Sequence, residues 1–191
     1  MDELIGALRG GHPVVLPTDT VYGLVSLPSE SAIAALYSLK GRAPDQPTAL
    51  LAATPDQLVR AVPELDRTLL LRGPYTLVLP NPARRFPWLA GGRPDTIGVR
   101  VPDLSPAVAS VLEAVGCVAA TSANDPGGRD PLTLGDVPRR LLAACPALDG
   151  GPLPGVPSTV VDLTGPEPRV LREGAVPADE AIARVRVALG Q

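Results

Sequence analysis

Val14–Leu24 reads V-V-L-P-T-D-T-V-Y-G-L. The β-branched and apolar run Val14–Leu16 predicts a short buried strand. Pro17 offers no backbone donor, so the ladder is expected to end there. Thr18, Asp19 and Thr20 then place two hydroxyls and a carboxylate in a loop, followed by Tyr22 and Gly23. In open α/β sheets a ligand commonly sits just past such a strand end. A turn held by local Asp and Thr hydrogen bonds explains the same letters equally well.

The flanking sequence alternates helices and strands. Asp2–Arg9 has Leu4, Ile5 and Leu8 at helical spacing and stops at Gly10-Gly11. Ser31–Leu39 is a helix whose Ile33, Leu36, Tyr37 and Lys40 share one face. Ala49–Ala53 is a strand, Thr54-Pro55-Asp56-Gln57 opens a helix, and Leu65–Leu71 reads as another. Strands Tyr75–Leu79 and Thr96–Val101 flank the Pro-, Gly- and Arg-rich loop Asn81–Pro94. Ser105-Pro106 caps a helix to Val115, Val118–Ala120 is a strand, and Thr133 caps a helix to Ala144. Ser158–Asp162 and Arg169–Leu171 form strands around Gly165-Pro166, and Asp179–Leu189 is a closing helix. The alternation, with a hairpin-like pair near the end, indicates a single α/β domain over residues 1–191 with a mixed parallel and antiparallel sheet.

A chain of 191 residues suits one domain. Apolar residues make up 45% and aromatics only 3%, so the core must be built of Leu, Val and Ala. Net charge is −3, which disfavours tight non-specific nucleic-acid binding. Cys117 and Cys145 lack metal spacing and read as small buried residues of a reducing compartment. Asp2 and Glu3 are unlike the start of a signal peptide, and no apolar run reaches spanning length, so the expectation is a cytoplasmic protein. Lys40 is the only lysine in an arginine-rich chain, two residues before Arg42. The two cations are not interchangeable at a phosphate or carboxylate. Both also suit the negative end of a helix dipole, which accounts for either one taken singly.

The chemistry offered is hydroxyls, amides and cations near element ends. His12, the only histidine, precedes a strand and reads as a surface residue, so neither a Ser-His-Asp triad nor a histidine zinc site can be built. There is no glycine-rich phosphate loop of Walker or dinucleotide type. A hydroxyl-and-cation pocket fits an oxygen-rich anion, such as a nucleotide phosphate or an amino-acid carboxylate.

Seven motifs occur in order: P-T-D-T-V-Y-G-L, K-G-R (Lys40–Arg42) with Pro47 five residues on, G-P-Y-T (Gly73–Thr76), G-V-R-V-P (Gly98–Pro102), T-S-A-N (Thr121–Asn124), S-T-V-V-D (Ser158–Asp162) and L-R-E-G from Leu171. Over residues 5–175 this resembles the YrdC/TsaC family of L-threonylcarbamoyladenylate synthases, in the short form without the extra C-terminal domain of longer members. The resemblance implies a twisted mixed sheet flanked by helices, with a basic groove. It implies that L-threonine, bicarbonate and ATP give threonylcarbamoyl-AMP and pyrophosphate. A tRNA-modifying transferase complex would then use the product beside the anticodon. Carried over by motif, Lys40 and Arg42 are the catalytic cations. Thr20, Arg100, Ala120 and Ser158 face threonine. Arg42, Gln46, Thr96, Ser122, Asn124, Asp130 and Arg172 face ATP, and Mg²⁺ accompanies the nucleotide. Thr48 and Leu51, and Pro126 after Asn124, depart from the usual pattern. A non-catalytic RNA- or ribosome-binding module of the same fold is the alternative, and weak RNA contact is compatible with either.

The chemistry needs no covalent nucleophile. Carbamate formation is a proximity problem, and displacement at the α-phosphorus needs positioning and charge neutralisation. The labile carbamate calls for a loop over the site, with Asp125–Pro131 and Gly150–Pro157 as candidates.

Overall fold

A computed structural model describes residues 1–191. Helix α1 (Asp2–Arg9) leads into a hairpin of β1 (Val14–Pro17) and β2 (Tyr22–Ser26), paired antiparallel with Pro17 opposite Tyr22. Then come α2 (Glu30–Lys40), β3 (Ala49–Leu51), α3 (Pro55–Ala61), β4 (Tyr75–Pro80) and β5 (Thr96–Arg100). The remainder is α4 (Pro106–Val115), β6 (Val118–Ser122), α5 (Arg139–Ala144), β7 (Thr159–Asp162), β8 (Arg169–Arg172) and α6 (Ala178–Ala188). All eight strands form one mixed sheet in the order β1-β2-β6-β3-β5-β4-β7-β8. The β3–β5 and β4–β7 pairs are parallel and the others antiparallel.

The mixed α/β sheet is as the alternating pattern predicts, with three local differences. Tyr22 and Gly23 do not remain in a loop: Tyr22 begins β2, which makes T-D-T-V the turn of a hairpin. Pro17 fits at the end of β1 because its missing donor falls at the last paired position. Leu65–Leu71 yields only a 3₁₀ turn, Arg67–Leu69, and the helix expected from Thr133 is cut by Pro138 into a 3₁₀ turn, Leu134–Asp136, and α5.

Strand alternation divides the core between the two faces. Val15, Tyr22, Leu24, Leu50, Leu77, Leu79, Ile97, Val99 and Val161 pack on one face against residues of α2, α3 and α6, including Ile33, Leu36, Leu58 and Val185. Val14, Leu16, Val25, Leu51 and Val118 pack on the other against Leu4 and Leu8 of α1 and Val108, Val111 and Leu112 of α4. On that second face the apolar cluster draws on β1, β2, β6 and β3 and on no residue of β5, β4, β7 or β8. The opposite sides of those strands are therefore left to a cavity. No helix is long and apolar enough to cross a membrane.

Candidate functional site

The floor of a cavity of about 430 Å³ is made by Ala49 and Leu51 of β3, Thr96, Gly98 and Arg100 of β5, Thr76 and Val78 of β4, and Val160 of β7, with Ser158 just before β7. Each set follows the two-residue period of a strand. Gly98, between Thr96 and Arg100, adds no side chain to the floor.

One end gathers around Arg100. Its Nη2 donates to Thr20 Oγ1 at 2.8 Å and ion-pairs with Asp19, both charged side chains being 10% exposed. Asp19 Oδ2 also accepts from the Asp103 backbone N–H at 3.1 Å. Thr18 Oγ1 lies 3.0 Å from Thr20 Oγ1 and donates to the Val21 carbonyl at 2.8 Å, which closes the turn. Thr76 and Ser158 share a hydrogen bond of 2.8 Å, and Arg172 Nη2 donates to the Ser158 carbonyl at 2.8 Å. Burial pulls the Arg100 guanidinium below its ordinary pKa; the Asp19 charge opposes this and Arg172 adds to it.

The other end gathers where α2 meets the end of β6. Ser29 Oγ caps α2, and Gly41 ends it in the left-handed conformation (φ 67°), so the chain turns and Arg42 enters the cavity wall. Arg42 Nη2 donates to the Pro47 carbonyl at 2.6 Å, while its Nε is buried without an acceptor. Burial lowers its pKa. Lys40 is 4% exposed, and its ammonium donates to the Ser122 carbonyl at 2.8 Å and to the carbonyl and Oδ1 of Asn124. Burial, and then the nearby Arg42 charge, push the Lys40 pKa down to about 8. Asn124 is held in turn by Ser122 Oγ at 2.8 Å, and it donates to the Gly128 carbonyl at 2.7 Å and to Asp130 at 3.2 Å.

Thr20, Arg42, Thr96, Arg100, Ala120, Ser122, Asp130, Ser158 and Arg172 all line this one cavity. Lys40 and Asn124 are not part of its lining and reach it through Ser122. Gln46 is exposed and outside it. Arg172, matched by motif to ATP, stands with Ser158 and Arg100. Tyr22 is fully buried and does not face the cavity; its hydroxyl accepts from Gly150 N–H at 2.9 Å and donates to the Gly151 carbonyl at 2.8 Å. It thereby ties the Gly150–Pro157 connector to the hairpin, as does the bond from Gly155 N–H to the Thr20 carbonyl at 2.8 Å. Thr48 lines the cavity and bonds to the Tyr37 hydroxyl at 2.8 Å.

Arg93 and Thr76 line the cavity but are absent from the set read by motif. Arg93 is paired with Asp162 at 2.9 Å and donates to Thr164 at 2.7 Å. Thr76 could have been found, since it lies two residues from Val78 on the β4 face. Arg93 sits in an irregular loop, where no period says which way a side chain points.

A family model described as telomere recombination, covering Sua5, YciO and YrdC proteins, matches residues 6–174. A Mycobacterium tuberculosis protein is 38% identical over 190 residues, spanning 95% of this chain and 86% of its own length. The threonylcarbamoyl-AMP synthase of Halorhodospira halophila is 37% identical over 157 residues, 78% of this chain and 81% of that protein. A crystal structure of Pyrococcus abyssi Sua5 complexed with L-threonine superposes with a TM-score of 0.84 at 33% identity. It covers 94% of this chain, which in turn spans only 55% of that longer protein.

Proposed function

Because the chain belongs to the Sua5/YciO/YrdC family, we propose that it forms L-threonylcarbamoyl-AMP and pyrophosphate from L-threonine, bicarbonate and ATP. The observation that carries this is one cavity holding two unlike ends on the same sheet face. The Arg100 end, with Thr20, Thr76 and Ser158, suits the carboxylate and hydroxyl of an amino acid. The Arg42 end, with Thr96, Ser122 and Asp130, suits a polyphosphate. Ala120 lies in the wall between them.

The threonine amine adds to the carbon of bicarbonate with loss of water, giving a carbamate. A carbamate oxygen then attacks the α-phosphorus and pyrophosphate leaves with the bonding electrons. Holding amine, bicarbonate and phosphate in one cavity supplies the proximity. Arg42 offsets the charge that develops on the phosphoryl oxygens. Lys40 acts here by holding Ser122 and Asn124, which shape the nucleotide end. No group of three or more His, Cys, Asp or Glu side chains is placed to hold a metal. Mg²⁺ needs only one or two carboxylates when it arrives on phosphates. Asp130 is the cavity carboxylate that would hold it, and the ion would neutralise the departing pyrophosphate.

Residues 1–191 act as one unit in this scheme, and the product passes to a tRNA threonylcarbamoyl-transferase complex. An RNA-binding module without catalysis has less support, because no aromatic side chain lines the cavity for base stacking. Pyrophosphate release is the test, measured with ATP, bicarbonate and a panel of amino acids. Release should depend on threonine and fall roughly 10–200-fold with serine, which lacks one methyl group. Release indifferent to threonine would overturn the proposal.

A further inference from the structure

Asp19 occupies the tip of the β1–β2 hairpin and lies outside the cavity lining, whereas Thr18, Thr20 and Arg100 lie within it. Its Oδ1 pairs with Arg100 Nη2, and its Oδ2 accepts from the Asp103 N–H at 3.1 Å, just past the end of β5. One carboxylate thus bridges the hairpin turn to the strand that carries Arg100. The second Nη2 hydrogen goes to Thr20 Oγ1. Arg100 Nε is buried with no acceptor. A nine-tenths buried guanidinium with an unpartnered N–H calls for an acceptor that the protein does not supply.

We propose that Asp19 is the positioning residue of the amino-acid end: its carboxylate fixes Arg100 and the turn bearing Thr20 in the geometry that receives the carboxylate of an α-amino acid. This rests on the function proposed above. Asp19 acts through Arg100 and not on the ligand. Asp19→Asn tests it, because Arg100 and Asp103 donate to different oxygens of Asp19 and an amide replaces one of these with an NH2 that donates.

The full chain and the variant are titrated calorimetrically with L-threonine and, separately, with ATP. The expected result is at least a tenfold loss of threonine affinity with ATP affinity within twofold. In an Arg100→Lys background the same substitution should add little, since the two residues act as one unit. Equal threonine affinity in wild type and variant overturns the inference and leaves the proposed function standing. Parallel loss of both ligands marks a general structural role and also overturns it. A wild-type chain that binds ATP but no threonine overturns the function beneath it. Should Asp19→Asn fail to fold, Asp19→Glu keeps the charge, displaces it by one methylene and is expected to give the same split between ligands.

Discussion

Arg42 and Arg172 line the cavity without a carboxylate partner, whereas Arg93 and Arg100 are paired with Asp162 and Asp19. Unpaired cations are the ones whose charge remains available to a polyanion. Arg42→Ala should therefore lower kcat/KM at least 100-fold with the circular dichroism spectrum unchanged, an order of magnitude in keeping with the loss of one electrostatic donor at a reacting group. Arg42→Lys should recover only part, because an ammonium does not reproduce the planar fork. Wild-type turnover in the alanine variant would refute the role. Lys40 gives a pH signature. With its pKa at about 8, it is charged at pH 7 and loses its proton as pH rises through 8. Its grip on Ser122 and Asn124 then weakens, so activity should fall above pH 8. Stability moves the opposite way: the folded value lies below the ordinary 10.5, so between them the unfolded chain binds more protons and this group's contribution rises with pH. Activity and thermal unfolding measured across pH 7–10 should diverge in wild type and not in Lys40→Met. The sequence pointed to Lys40 because it is the lone lysine. Its partner Asn124, 84 residues away, could be reached only through the family motif.

At the scale of elements, α2 is the lever of the site. Its buried face of Ile33, Leu36, Tyr37 and Lys40 was legible from helical spacing, and its end at Gly41 delivers Arg42. Gly41→Ala forces a side chain into the left-handed region and should cost roughly 1–2 kcal/mol. It should also reduce activity, because Arg42 N–H bonds back to the Tyr37 carbonyl at 2.9 Å through that turn. Ser29→Ala removes the cap at the far end of the helix, where Ser29 Oγ accepts from Ala32 N–H at 3.3 Å. It should cost about 1 kcal/mol and leave the KM values for ATP and threonine unchanged. Urea unfolding beside steady-state kinetics compares the two; equal activity loss in both variants would show that helix stability, not the Gly41 turn, controls the site. The hairpin was harder to read than the helix. V-Y-G-L carries too few alternating residues to announce β2, and only its pairing with β1 and β6 makes it a strand. Pro138 is a helix breaker by local chemistry, yet the helix expected from Thr133 to Ala144 ran straight through it; α5 begins only after that proline.

At the scale of the molecule, the cavity draws on chain segments that the sequence does not mark as neighbours. β2 lies beside β6, β6 beside β3, and β4 beside β7. Thr20 and Arg100 are 80 residues apart in the chain and Thr76 and Ser158 are 82 apart, yet each pair is joined by a hydrogen bond of 2.8 Å. Alternation could assign which residues of a strand share a face, but strand order is set by tertiary packing and lay beyond it. The same dispersion makes ligand binding a whole-fold event. A ligand spanning the cavity ties the hairpin, the end of α2 and the central strands together, so it should stabilise the native state by mass action. At a hundredfold excess over Kd the gain is about 2.7 kcal/mol. For a domain of this size that raises Tm by roughly 5–11 °C. Trp88, the only tryptophan, donates from its indole to the Pro28 carbonyl at 2.9 Å just before α2. Its fluorescence should report this unfolding. If the two ends form one site, ATP and threonine with bicarbonate together should shift Tm by more than the sum of their separate shifts. Strictly additive shifts would mean that the ends bind independently, and a joint carbamate-to-phosphate transfer within one cavity would then lose its physical basis.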